Sequence, residues 1–111
     1  MGFIIRLLVV GAAAMLAAYI LPGVTIDGVV TALILALVLA ILNAIVRPIL
    51  VFLTIPVTIL TLGLFLLVIN ALIILLADWL IEGFAVDGFL WALIFSLVLS
   101  ILTAILDAIF D

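Results

Sequence analysis

The side chains able to carry chemistry are few: the basic Arg6 and Arg47, the acidic Asp27, Asp78, Glu82, Asp87, Asp107 and Asp111, and the carboxamides Asn43 and Asn70. The 111 residues include no cysteine and no histidine, which removes thiol chemistry, disulfides and the commonest zinc ligands. No Ser/His/Asp set, phosphate-binding loop, nucleotide fingerprint or metal motif is present, so the sequence points away from an enzyme and assigns no catalytic, cofactor-binding or metal residue. The net charge of −4 rests on only eight formal charges, two of them basic. That is too little positive charge for a phosphate-binding footprint, and no nucleic-acid partner is expected.

The spacing of these residues is more informative than their number. Asn43 and Arg47 stand four apart, on one face of any helix that holds them. Asp27-Gly28 and Asp87-Gly88 recur 60 residues apart, and at the same offset Asp107 stands where Arg47 does. Opposite charges at equivalent positions suggest an ion pair between Arg47 and Asp107, within one chain or across neighbouring copies; solvated anchoring and a transport site are the alternatives. Asn43 and Asn70 suit interhelical hydrogen bonding, or else the lining of a pore. Each Asp-Gly pair reads as an N-cap followed by a turn glycine, with half-sites for an external divalent cation as the alternative.

The elements that position these groups are membrane helices. Apolar residues make up 75% of the chain, against roughly 45–50% in soluble domains. A chain this short could not bury that much apolar surface in water. In lipid it need not, but every backbone polar group must then be satisfied within helices or a closed barrel. The apolar runs are long and continuous rather than alternating, which favours helices. Gly, Pro and acidic residues bound four spans: Phe3 to Leu21, Val29 to the region of Arg47, a third ending near Ile81, and Phe89 to about Ala108. Arg6 and the alanines Ala12–Ala14 imitate a signal peptide, but the run is long enough to span and is read as the first helix.

Residues 21–45, LPGVTIDGVVTALILALVLAILNAI, repeat as residues 81–105, IEGFAVDGFLWALIFSLVLSILTAI, sharing Gly23/Gly83, Asp27/Asp87 and Gly28/Gly88. The chain therefore reads as one all-α transmembrane domain of two tandem parallel hairpins, residues 1–47 and 63–111, joined by an apolar connector over residues 48–62. In that connector the second helix is expected to run past Pro48 to Leu53 and the third to start at Pro56; Thr54, Thr58 and Thr61 on one face support a re-entrant or interfacial segment instead. Arg6 and Arg47 fall on the same side, so the positive-inside rule puts both termini in the cytoplasm. Small residues recur every fourth position, as Ala32, Ala36, Ala40 and Ala44 on span two and Ala92, Ser96, Ser100 and Ala104 on span four. Such rows let helices approach closely, and the two are expected to pack together, within a chain or between protomers.

Residues 43–71, NAIVRPILVFLTIPVTILTLGLFLLVINA, resemble the core signature of phage holin family 4, the holin superfamily IV of small four-span bacterial membrane proteins. Asn43, Arg47, Pro48, Thr54, Pro56, Thr58, Gly63 and Asn70 are in register, as is the turn Leu21–Gly23, whereas Glu82 stands where the family often has proline. The resemblance implies a protein of the bacterial cytoplasmic (inner) membrane that self-associates and permeabilises the bilayer. It supplies no catalytic residues. The sequence equally suits a structural or accessory subunit of a larger membrane complex and, through its parallel repeats and midplane amides, a small solute or ion carrier.

Overall fold

The computed structural model describes residues 2–61 and 63–110. Helices α1 (Phe3–Ile20), α2 (Val29–Leu53) and α5 (Phe89–Phe110) hold 18, 25 and 22 residues, or about 27, 37 and 33 Å of rise. All three are long and apolar enough to cross a membrane. Two shorter helices, α3 (Ile55–Leu60) and α4 (Phe65–Leu80), complete the helical set. The 16 residues of α4, apolar apart from Asn70 and Asp78, reach about 24 Å.

The helices form a square: α1 lies beside α2 and α5, α4 lies beside α5 and α2, and α2 and α5 face each other along a diagonal. Small residues on α1 and α4 permit this closeness. Ala13, Ala14 and Ala17 on α1, and Ala71 and Ala77 on α4, have no exposed surface. At Gly11 a side chain would press on the tip of Leu33. The interior between α2 and α5 is filled by Leu35, Leu39, Phe95 and Leu99, with Phe84 stacked at a tilt on Phe95, ring centres 5.6 Å apart.

The two-row packing expected of spans two and four is therefore not formed within the chain. Ala32, Ala36, Ala92 and Ser96 are buried, but Ala40, Ala44, Ser100 and Ala104 are half-buried or exposed. The large side chains between α2 and α5 hold the rows apart, and the close contacts are made instead to the helices on either side.

Two short strands, absent from the all-helical expectation, join the helices. β1 (Val24–Ile26) lies between α1 and α2, β2 (Phe84–Val86) lies between α4 and α5, and they pair antiparallel with Val24 opposite Val86, Thr25 opposite Ala85 and Ile26 opposite Phe84. The ladder extends one step each way, the Asp27 N–H donating to the Gly83 carbonyl at 2.7 Å and the Asp87 N–H to the Gly23 carbonyl at 2.8 Å. VTI and FAV are rich in β-branched and aromatic residues, but three residues cannot hold a strand without a partner. Gly23 is needed for close approach, since a side chain there would land on the indole of Trp91. Gly28, Gly83 and Gly88 are needed for conformation, with φ of 96°, 87° and 99°.

The connector also departs from expectation. Helix α2 does run through Pro48 to Leu53, but the helix beginning near Pro56 stops at Leu60 instead of continuing as the third span. Threonines end these segments. The Thr54 hydroxyl donates to the Leu50 carbonyl at 2.7 Å, while Thr61 Oγ1 donates to the Val57 carbonyl at 3.0 Å and accepts from the Phe65 N–H at 3.1 Å. Gly63, at φ 89°, then turns the chain into α4.

Candidate functional site

Both arginines, Asn43 and Asp107 collect at the end of the bundle opposite the strands. α1 brings Arg6, α2 brings Asn43 and Arg47, and the last turns of α5 bring Asp107. Arg6 donates from Nη1 to Asp107 Oδ2 at 3.3 Å, the only ion pair among the described residues; the two side chains are 58% and 29% exposed. The other oxygen, Asp107 Oδ1, is buried and has no hydrogen-bond partner. Arg47 is turned along its own helix: its Nε donates to Asn43 Oδ1 at 2.9 Å, and Asn43 Nδ2 donates to the Leu39 carbonyl at 2.8 Å.

This corrects the expected Arg47–Asp107 pair within the chain. Because α2 and α5 stand on a diagonal, α1 lies between them and its Arg6 reaches the carboxylate first. The sequence carried a signal for this. Putting the start of span one and the end of span four on one side makes Arg6 as eligible a partner as Arg47. The expected interhelical amide bond is not formed either, since both functional ends of Asn43 are engaged on α2 and no Asn70 side-chain bond occurs among the described residues.

Between α1, α2 and α5 at this end lies an open cavity of about 660 Å³. Val10, Ala36, Leu39 and Leu99 form its apolar part, while Arg6, Asn43, Ser100, Thr103 and Asp107 form the polar part. Three pairs of lining residues are equivalent at the repeat offset of 60: Leu39 and Leu99, Ala40 and Ser100, Asn43 and Thr103. Ala40, Ser100 and Ala104 of the small-residue rows thus border a space. A second hollow, about 230 Å³, lies between α1 and α2 beside Gly11 and Ala32 and is almost wholly apolar.

At the far end the acidic residues serve the strands. Asp27 does not cap α2, whose first turn starts from Gly28 without a side-chain cap; the Thr31 hydroxyl instead donates to the Asp27 carbonyl at 3.1 Å. No side-chain hydrogen bond of Asp87 occurs among the described residues, so the capping role expected of both carboxylates is not seen. Their backbone N–H groups, used in the strand ladder, are what the turn needs. Asp78, to which the sequence gave no particular role, braces the second strand, its Oδ2 accepting the Val86 N–H at 3.1 Å. Tyr19 and Trp79 flank this end, 91% and 80% exposed, as aromatic residues do at a membrane surface. Among the described residues no cluster of three or more Asp or Glu could hold a metal ion.

Comparison with known proteins fits a bundle of apolar helices with this little chemistry. A family model described as mycobacterial 4 TMS phage holin, superfamily IV, matches residues 1–105. The chain belongs to this holin family. An uncharacterized protein of Streptomyces coelicolor, SCO3922, is 37% identical over 98 residues, covering 79% of this chain and 78% of its own. An uncharacterized membrane protein of Bacillus subtilis, YvlD, is 46% identical over 50 residues, covering 41% and 42%. No solved structure matches. The holin family is not an enzyme family, and with its apolar helices this member is a multi-pass protein of the bacterial inner membrane.

Proposed function

We propose that this holin-family chain is a self-associating, four-span membrane protein with both termini in the cytoplasm, and that any permeation it causes passes between copies rather than through one. The observation that carries this reading is the asymmetry of the bundle. Its cavity opens beside Arg6 and Asp107, while the opposite half is packed with fully buried Ala13, Ala14, Ala17, Leu35 and Phe95 beneath the paired strands. Among the described residues a single chain offers no aqueous route across the membrane, so a lesion needs several copies. The two-tandem-hairpin organisation, with residues 1–47 and 63–111 parallel about the 48–62 connector, is supported by the strand ladder. An offset of 60 residues carries the Val24–Val86 pair onto the Ile26–Phe84 pair.

Dye-loaded vesicles test the reading. Leakage should rise more steeply than linearly with protein density, and crosslinking should trap oligomers at the same densities. Inert vesicles at every density would remove permeabilisation and leave the accessory-subunit reading, for which a fixed partner should co-purify. A carrier is favoured by one observation only, the cavity lined by equivalent residues of the two repeats. It would show saturable flux at densities where no oligomer forms.

A further inference from the structure

The cavity between α1, α2 and α5 has a property that pore formation does not use: its polarity is graded along the membrane normal. Arg6 and Asp107 stand at the mouth, Asn43 and Thr103 lie about one turn deeper, and Val10, Leu39 and Leu99 form the interior. From Asp107 to Leu99 this gradient covers roughly 12 Å of helix. A phospholipid of the adjoining leaflet has the same order, with its head at the surface and its chain toward the midplane. The volume of about 660 Å³ lies in the range of ligand sites, roughly 300–1,000 Å³, and the cavity is open rather than enclosed.

The polar groups narrow the head chemistry. Asp107 Oδ1 is buried and lacks a donor, and the hydroxyls of Ser100 and Thr103 line the same cavity. Thr103 and Asp107 stand one turn apart on one face of α5, giving a hydroxyl and a carboxylate acceptor for a group with several N–H donors, which suits a primary ammonium. Arg6, more than half exposed beside Asp107, keeps donors free for an anion next to that ammonium. We propose that the cavity binds one phospholipid of the leaflet on the side of the termini, with a head that carries a primary ammonium as well as a phosphate: the ammonium on Asp107 and Thr103, the phosphate on Arg6, and an acyl chain over Leu39 and Leu99. Ligand charges then alternate with those of the protein, so no charge is left uncompensated in a site of low polarity.

Native mass spectrometry of the full chain released from nanodiscs tests this, using equal parts of phosphatidylethanolamine, phosphatidylglycerol and phosphatidylcholine. The ethanolamine lipid should be retained preferentially; phosphatidylglycerol lacks the ammonium, and the trimethylammonium of phosphatidylcholine has no N–H to donate. Asp107→Asn should lower the preference about tenfold, as loss of one charge-assisted hydrogen bond does. Ala40→Leu, which fills the cavity without touching a charge, should reduce retention of every lipid. Asn70→Leu, outside the cavity, should change neither. Equal retention of the three lipids by the unmodified chain would overturn the proposal, as would a preference that survives Asp107→Asn. Should Asp107→Asn fail to fold, undiminished retention by folded Ala40→Leu would overturn it alone. Soluble phosphoethanolamine displacing the lipid at equal concentration would reject a lipid as the occupant.

Discussion

Arg6 and Asp107 show how little a membrane protein gains from an ion pair that reaches water. At 3.3 Å and 58% exposure of the arginine, the pair belongs with surface salt bridges, whose median contribution is about 0–1 kcal/mol. Its value is positional, bringing the first turns of α1 onto the last turns of α5. A double-mutant cycle on Arg6→Asp and Asp107→Arg, read by thermal unfolding in detergent, should show a small favourable coupling, below about 1 kcal/mol. The corresponding cycle on Arg47→Asp and Asp107→Arg should give additive losses, because Arg47 is held by Asn43 and not by the carboxylate. Coupling in the second cycle alone would mean that the charges meet across neighbouring copies. The Asn43 link was legible in the sequence as a helical i, i+4 spacing. The Arg6 link was legible only as a shared side of the membrane, because its partners are 101 residues apart and the arrangement of the square is what brings them together.

Among the elements, the paired strands are the least expected and the most consequential. Each has three residues, below what a strand pattern can display, and both lie in stretches whose Gly and Asp signal a turn. What sequence alone conveyed was the repeated Gly-xxx-Asp-Gly, a correct sign that both tips are built alike. Asp78 is the strut of the second tip, and its counterpart in the first repeat is Ala18, so only β2 has this support. Replacing Asp78 with Ala should cost about 1–2 kcal/mol through the lost charge-assisted bond to the Val86 N–H. Hydrogen exchange should accelerate at Val86 well before any loss of helix. Unchanged exchange there would mean that the strand is held by its partner alone. The connector behaves in a related way: Pro56 was expected to start a helix and stands in the first turn of α3, but the hydroxyls of Thr54 and Thr61 and the left-handed Gly63 make the breaks.

At the scale of the whole molecule, the membrane class and the apolar helices were legible because they depend on composition and run length, which the bilayer reads directly. The cavity was not, because it depends on which helices become neighbours. Rows of small residues state that helices pack closely without saying against what. The expected topology makes a direct prediction. Single cysteines replacing Asp27 and Asp87, both exposed at the strand end, should react with an impermeant reagent in intact cells, and one replacing Phe3 should react only after lysis. Reaction at only one of the two tips would break the parallel arrangement. The strand ladder has one further consequence, which concerns ancestry. Its register is isologous: residue 24 meets 86 and residue 26 meets 84, and in repeat terms each of these pairs is the other one turned around. That is the geometry of a homodimer interface, in which one patch meets its own copy. A half-length chain with a single such strand would already be self-complementary. Joining two of them head to tail would add only a connector, after which each copy could change independently, one gaining Asp78 and Asp107 while the other kept Ala18 and Arg47.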